Sequence, residues 1–255
     1  MELPTTKNLL NSKLFQILKK VIEESNIESY IIGGFVRDFL LNKKKSKDID
    51  IVCVGSGIDL AKALKKTVSN STKIQIFKNY GTAMFTWNDI VLEFVGARKE
   101  SYSTESRNPN IEIGSLEDDQ NRRDFTINTL AISLNPSNFG KIIDPFNGIK
   151  DLKNNVLKTP LDPDKTFSDD PLRMLRGIRF ATQLNFTIEK KSYRSISKNS
   201  DRIKIISKER IVEELNKIIE NLNSLISLQK NDEIIMLMKQ IIPEYKSNNS
   251  EFSKF

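Results

Sequence analysis

Residues 48–54 read Asp-Ile-Asp-Ile-Val-Cys-Val, a strict alternation at its start of charged and apolar side chains. In an extended strand successive side chains point to opposite faces, so Asp48 and Asp50 share one face while Ile49, Ile51 and Cys53 share the other. The chain must therefore build a sheet with one buried face and one face that holds two carboxylates in a small volume. Like charges that close repel unless a cation neutralises them, and oxygen donors select Mg²⁺ or a similarly hard ion. A D-x-D in an acid-rich chain also fits a solvated strand edge, so its neighbours must decide.

Those neighbours are informative. An apolar segment, Ser29-Tyr30-Ile31-Ile32, runs into Gly33-Gly34, and Phe35–Leu41 follows with helical spacing and carries Arg37 and Asp38. Glycines without a Cβ let backbone N–H groups approach an anion closely, and a helix after them would aim its N-terminus at it. The combination suits a triphosphate. No GxxxxGK[ST] motif occurs, so the site is not that of a P-loop NTPase.

Periodicity predicts a helix over 12–25, strands at SYII and DIDIVCV, a helix over 58–68, and strands at KIQIF, AMFTW and IVLEFVG. Residues 99–120 are polar, contain Pro109 and Gly114 and show little periodicity, so a long mobile loop is expected. LAISL reads as a strand, and IIDPFNGIKDL as a strand followed by a turn. After Pro160 helical spacing takes over at 170–184, 189–197, 207–221 and 231–240. The expected organisation is α+β: a mixed-sheet domain over 1–158 and an all-helical module over 159–255.

The 255 residues contain no histidine, which excludes Ser/His/Asp and Cys/His hydrolases and His-ligated zinc sites. Catalysis must run on carboxylates, Arg, Lys, hydroxyls or a bound ion. The single Cys53 excludes a disulfide framework. A formal charge of +7 suits a polyanionic partner such as nucleic acid, although an AT-rich genome would equally favour this Lys-rich composition. No apolar run approaches the roughly 18 residues of a membrane span, and the N-terminus lacks a secretory pattern, so no membrane association and a cytoplasmic location are expected.

From Ile31 onward the motifs occur in a telling order. The stretch IIGGFVRDFLLNKKKSKDIDIVCVG is followed by RRDFTINTLA (122–131), DPFNGIKDL (144–152), DDPLRMLRGIRFATQLNF (169–186) and SKERIVEEL (207–215). This series resembles the nucleotidyltransferase superfamily that includes DNA polymerase beta. It is more closely similar to the class II, bacterial-type tRNA nucleotidyltransferase (CCA-adding) and poly(A) polymerase family. The resemblance implies a polymerase beta-like head domain followed by a helical neck and body. It also implies transfer of CMP and AMP from CTP and ATP to the 3′ end of tRNA, with two Mg²⁺ ions.

Asp48 and Asp50 are the expected metal ligands and catalytic residues, with Glu93 as a third catalytic carboxylate. Gly33, Gly34, Arg37, Arg98, Arg122 and Arg123 are candidates for phosphate contacts, since a guanidinium fork matches phosphate oxygens. By resemblance Asp124 lies near the bound ribose, with Asn128 about one turn later, and Arg176 and Arg179 belong to the nucleotide-binding set. The family uses a pair such as Asp170 and Arg173 to recognise the incoming base. Asp offers acceptors and Arg donors, an order that C and A match and G and U reverse. A local ion pair at a helix start is the plainer account of the same two residues.

For Asp144, Pro145 and Gly148, supporting a hinge and forming a simple turn are equal accounts. The usual middle glycine of that turn is Asn147, which tolerates positive φ. Family members continue through further helical modules, so the chain reads as a member with a shortened C-terminus. Its RNA contacts then fall to Lys190, Lys191, Arg194, Lys198 and Arg202, for which a solvated Lys-rich face is the competing account. A poly(A) polymerase, a partial CC- or A-adding enzyme, and a catalytically silent RNA-binding protein remain as alternatives.

Overall fold

The structure, a computed structural model, describes residues 4–43, 46–68, 73–103, 106–227 and 232–235. Two compact units emerge from its contacts. One comprises Met1–Ser101 with Asn110–Lys153, the other Tyr102–Pro109 with Asn154–Phe255. The first is α+β and the second is dominated by helices.

In the first unit, helices α1 (Thr6–Leu10) and α2 (Lys13–Ser25) precede β1 (Glu28–Ile32), α3 (Gly34–Leu40), β2 (Asp48–Val54) and α4 (Gly57–Val68). Strands β3 (Gln75–Phe77), β4 (Thr82–Trp87) and β5 (Ile90–Gly96) follow. Then come β6 (Arg98–Ser103) and β7 (Ser106–Ile113), of which residues 102–109 belong to the second unit, and α5 (Leu116–Asn121), β8 (Ala131–Ser133), β9 (Ile142–Ile143) and α6 (Gly148–Lys153). Seven strands form one sheet in the order β3-β4-β5-β2-β1-β8-β9. The sheet is mixed because β2 and β5 run parallel, whereas β1 pairs antiparallel with β2 and β4 with β5.

The alternation at residues 48–54 does what the pleat requires. Ile49, Ile51 and Cys53 are at most 2% exposed, and Leu92 and Phe94 on β5 are fully buried. Helix α4 packs on β2, β4 and β5 with α2 beside it, each presenting a buried stripe at helical spacing: Leu60, Ala61 and Leu64 on α4, and Leu14, Phe15, Leu18, Val21 and Ile22 on α2. Burial pushes the Cys53 thiol up to about 12, so it sits in the core as a neutral thiol.

Residues 99–120 are not the long loop that their polarity predicts. Strands β6 and β7 pair into a two-stranded ribbon, and α5 follows it. A ribbon satisfies its backbone groups across the strand pair and needs no apolar face, so it leaves no period-2 hydrophobic trace. Helix α5 did leave a trace. Ser115 and Asp118 form a capping box, in which the Ser115 hydroxyl accepts from the Asp118 N–H (3.2 Å) and the Asp118 carboxylate accepts from the Ser115 N–H (2.9 Å).

The segment 144–153 also adds a helix to the expected turn. Asp144 accepts from the N–H groups of Gly148 (2.6 Å) and Ile149 (3.0 Å) and so caps α6. Asn147 adopts φ 58°, the left-handed conformation that the usual glycine would supply.

The second unit contains β10 (Val156–Leu157), α7 (Pro163–Asp169), α8 (Leu172–Leu184), β11 (Thr187–Ile188), α9 (Lys190–Asn199) and α10 (Lys208–Ser227). The expected helices at 170–184, 189–197 and 207–221 correspond to α8, α9 and α10. Of the helix expected at 231–240, only 232–235 lie within the described residues. Helix α7 was not anticipated, although Asp162 as N-cap before Pro163 is a start signal. Helix α8 packs on α10, and Leu172, Leu175 and Ile206 form a small core with Ile203 and Ile211. No helix among the described residues is long and apolar enough to cross a membrane.

Gly148 fixes how closely α6 approaches the segment 126–130. A β-carbon there would lie inside contact distance of the Thr126 carbonyl oxygen and 3.1 Å from the Leu130 side chain. Replacing Gly148 by Ala should lower stability by about 1–3 kcal/mol, read as a drop in the urea midpoint without a change in slope.

Candidate active site

The parallel register of β2 and β5 places Asp50 directly opposite Glu93, with Asp48 opposite Val91 and Val52 opposite Val95. Asp50 and Glu93 both line a cavity of about 370 Å³ within the first unit, together with Val52, Thr82, Val95 and three arginines, Arg98, Arg122 and Arg123. Asp48 is exposed at the start of β2, one pleat along on the same face. Burial pushes the Asp50 carboxyl above its ordinary range, with Arg123 opposing and Asp48 reinforcing the shift. Glu93 is pushed the same way by burial and by Asp50, with Arg98 opposing.

The Gly33-Gly34 turn closes on this pair. Gly33 adopts φ 85°, and a β-carbon on it would lie 3.0 Å from Nη1 of Arg123 and 3.6 Å from Oδ2 of Asp50. A side chain here would meet both unfavourable backbone geometry and a guanidinium, so glycine is required twice over. Its N–H donates to the Leu130 carbonyl at 3.3 Å, which ties the turn to β8's approach.

Two buried acids that the sequence reading did not single out hold the arginines. The Asp119 side chain is fully buried on α5, accepts from Nε of Arg122 at 2.9 Å, and pairs with Nε and Nη2 of Arg123 at 3.0 Å. Glu100 on β6 pairs with Nε of Arg98 at 2.8 Å and Nη1 of Arg122 at 3.4 Å. Burial would raise Asp119, but the Arg123 and Arg122 guanidiniums outweigh it and hold its carboxyl below the ordinary value. The i, i+3 and i, i+4 spacing of Asp119 to Arg122 and Arg123 was the available signal.

Other expected residues sit elsewhere. Arg37 is buried, bonds Asp38 through Nε (2.8 Å) and Nη2 (3.0 Å), and donates to Oδ1 of Asn128 at 2.8 Å. Asn128 in turn donates to Asp124 at 2.9 Å, so Arg37, Asn128 and Asp124 form one chain of buried hydrogen bonds beneath α3. Gly34 lies beside Nη2 of Arg37.

In the second unit, Asp170 accepts from the Leu172 N–H at 3.1 Å just before α8. Arg173 donates to the Thr166 carbonyl (3.3 Å) and the Tyr102 hydroxyl (3.2 Å), and its guanidinium lies 5.8 Å from the Tyr102 ring centre. Arg176 and Arg179 flank the ring of Phe180, and Arg179 pairs with Glu214 of α10 at 2.8 Å. Lys190, Lys191, Arg194 and Lys198 are exposed on α9, with Lys198 paired to Asp164 of α7. Arg202 donates to the Ser168 carbonyl at 3.0 Å.

What the cavity can hold follows from its charges. Three guanidiniums and the carboxyl groups of Asp50 and Glu93 line it, with Glu100 and Asp119 pairing the guanidiniums, so opposite charges are interleaved around the space. Among the described residues no three His, Cys, Asp or Glu side chains form a metal cage by themselves. Two carboxylates on one strand face, with room beside them, fit the way Mg²⁺ is held: by one or two protein oxygens, with water and substrate phosphate completing the shell.

Known proteins resemble this chain in sequence and fold. Residues 29–158, just over half of the chain, match the poly A polymerase head domain, and residues 185–248 match the probable RNA and SrmB-binding site of polymerase A. The chain belongs to the poly A polymerase and CCA-adding nucleotidyltransferase family. It is 42% identical over 164 residues to the A-adding tRNA nucleotidyltransferase of Aquifex aeolicus, which covers 64% of this chain and 19% of the relative. To the CCA-adding enzyme of Ligilactobacillus salivarius it is 37% identical over 220 residues, covering 86% and 52%. A solved CCA-adding enzyme in an apo form superposes with a TM-score of 0.77 at 31% identity, covering 97% of this chain and 60% of that one. A tRNA nucleotidyltransferase complexed with a primer tRNA and an incoming ATP analogue gives 0.70 at 30%, covering 93% and 66%. The chain spans about half the length, or less, of the curated relatives it matches.

Within this nucleotidyltransferase head, Asp119 is the residue whose loss should be felt most widely. Its folded carboxyl titrates below the ordinary value of 3.8, so its stabilisation is complete above about pH 4 and is lost as the pH falls below that. Asp119→Ala should cost about 3 kcal/mol at neutral pH, by removing the buried carboxylate that two guanidiniums share. Urea titrations at pH 7 and pH 3 check this: the gap between wild type and variant should shrink at the lower pH.

Proposed function

We propose that this chain transfers CMP and AMP from CTP and ATP to the 3′ end of tRNA, building or repairing its CCA terminus. The observation that carries the reading is the Asp50–Glu93 pairing across parallel strands, with the Gly33 turn and Arg123 closing on it from one side. In such a site the Asp48 and Asp50 carboxylates would hold Mg²⁺, with Glu93 as a third oxygen donor beside them. Two ions suit an in-line displacement at phosphorus, since they neutralise charge on the attacking and leaving oxygens.

The chain's own groups do the rest. Arg123 and Arg122, oriented by Asp119, and Arg98, oriented by Glu100, offer donors to the phosphate oxygens, and the Gly33 turn leaves room for them beside Asp50. The Arg37, Asn128 and Asp124 chain supports the turn and the ribose pocket from beneath. Asp170 and Arg173 select C and A by acceptor and donor order, the base-reading role the family resemblance gives them. The exposed cations of α9 give the acceptor stem a basic surface, and the head over 1–158 and helical module over 159–255 divide chemistry from RNA contact. The setting is the cytoplasm, where tRNA and nucleotides meet.

The likeness to an A-adding relative favours a second reading, a partial enzyme that adds A alone. A poly(A) polymerase and a silent RNA-binding protein are the other outcomes. Purified protein with Mg²⁺ and three tRNA transcripts, ending before CCA, after C and after CC, separates them by product sequencing. Stepwise addition that stops at CCA is expected. Addition only to the CC-ending transcript would make the enzyme A-adding, long A tails would make it a poly(A) polymerase, and no extension would favour the silent reading. Asp50→Ala should abolish transfer while RNA retention in a gel-shift assay stays within about twofold of wild type.

A further inference from the structure

Two aromatic residues line the cavity without a part in holding phosphates or ions. Phe77 ends β3 and Tyr80 closes the 3-10 turn 78–80 that leads into β4; they are 43% and 67% exposed, far above what large aromatic side chains show in the core of this unit. Lys78 lies between them in sequence, and Gly81, with φ 61° and open space around it, lets the turn fold back into β4. Large aromatic rings left this far in water beside a charged cavity bury less surface than core aromatics do, so packing alone does not account for both.

Their position in the sheet says which substrate they meet. The order β3-β4-β5-β2-β1 puts the Gly33 turn on one side of Asp50 and the β3–β4 edge on the far side of Glu93. In an in-line displacement the attacking and leaving oxygens lie on opposite sides of the phosphorus. With the phosphates drawn toward Gly33 and Arg123, the attacking strand arrives from the Glu93 side, where the rings stand.

We propose that Tyr80, with Phe77 beside it, forms the platform on which the 3′-terminal base of the acceptor RNA stacks while its hydroxyl is presented beside Glu93. The proposal rests on the nucleotidyl-transfer reading and deepens it. A stacking platform suits an acceptor whose terminal base changes with each addition, because every base has a π-face and stacking is tolerant of sequence. Lys78 supplies a cation for the adjoining phosphate.

The test measures transfer from ATP to a tRNA transcript ending in CC, varying RNA and ATP separately, for wild type, Tyr80→Ala, Tyr80→Phe and Phe77→Ala. Tyr80→Ala should raise the KM for RNA roughly tenfold while the KM for ATP stays within twofold, Tyr80→Phe should restore the wild-type value, and Phe77→Ala should act in the same direction. An unchanged KM for RNA in Tyr80→Ala, or a rise in the KM for ATP instead, overturns the proposal while leaving the transfer reading intact. If the wild type transfers nothing to any RNA, that reading fails by itself. Fluorescence anisotropy with a labelled single-stranded RNA ending in CC then decides the platform: weaker binding by Tyr80→Ala supports it and equal binding overturns it.

Discussion

Asp50 and Glu93 face each other because β2 and β5 are neighbours and parallel, and a shift of one residue in that pairing would send one of the two carboxylates into the core. The register is held by what lies beneath it. Ile49, Ile51, Leu92 and Phe94 fill the opposite face and leave the strands one way to bury them. The apolar side of the sheet thus determines where the acidic side can be, and the charges are gathered against their own repulsion by hydrophobic burial.

Around that pair, the site separates two tasks. Asp119 and Glu100 are spent on arginines: buried, paired and unavailable to an ion. Asp50 and Glu93 keep open space beside them and carry the electrostatic strain that an incoming cation would relieve. The arginines are therefore pre-set in one geometry, which would reduce the side-chain entropy lost if they bound an anion. Gly33 completes the arrangement by what it lacks, since a β-carbon would push Arg123 off this position.

The sequence shows this design unevenly. The two-faced strand at 48–54, the glycine turn and the helices α2, α4, α8, α9 and α10 were legible because each carries a periodic apolar stripe or a conformation that few residues adopt. Residues 99–120 were not. The ribbon β6/β7 is stabilised by backbone pairing, which leaves no hydrophobic period, and only the Ser115–Asp118 capping box marked α5 in advance. Asp119 and Glu100 escaped notice for a related reason. An acid next to an arginine in sequence reads as an ordinary surface ion pair, and burial is a property of the finished fold. Arg37 and its neighbour Asp38 were conspicuous in sequence, and the partner Asn128 became visible only when distant segments met.

The parallel pairing of β2 and β5 also determines when the carboxylates meet. Parallel neighbours cannot be joined by a tight turn, and here α4, β3 and β4 all intervene before β5 returns to lie beside β2. Contacts so distant in sequence form late, after the loop between them has closed. A half-folded chain therefore carries Asp48 and Asp50 on one strand without Glu93 beside them, and the three-carboxylate face exists only once β5 lies against β2. A cation held by that completed face would count as stability for the native head, and the chain's chemistry and its folding would then be drawn from one free-energy reserve.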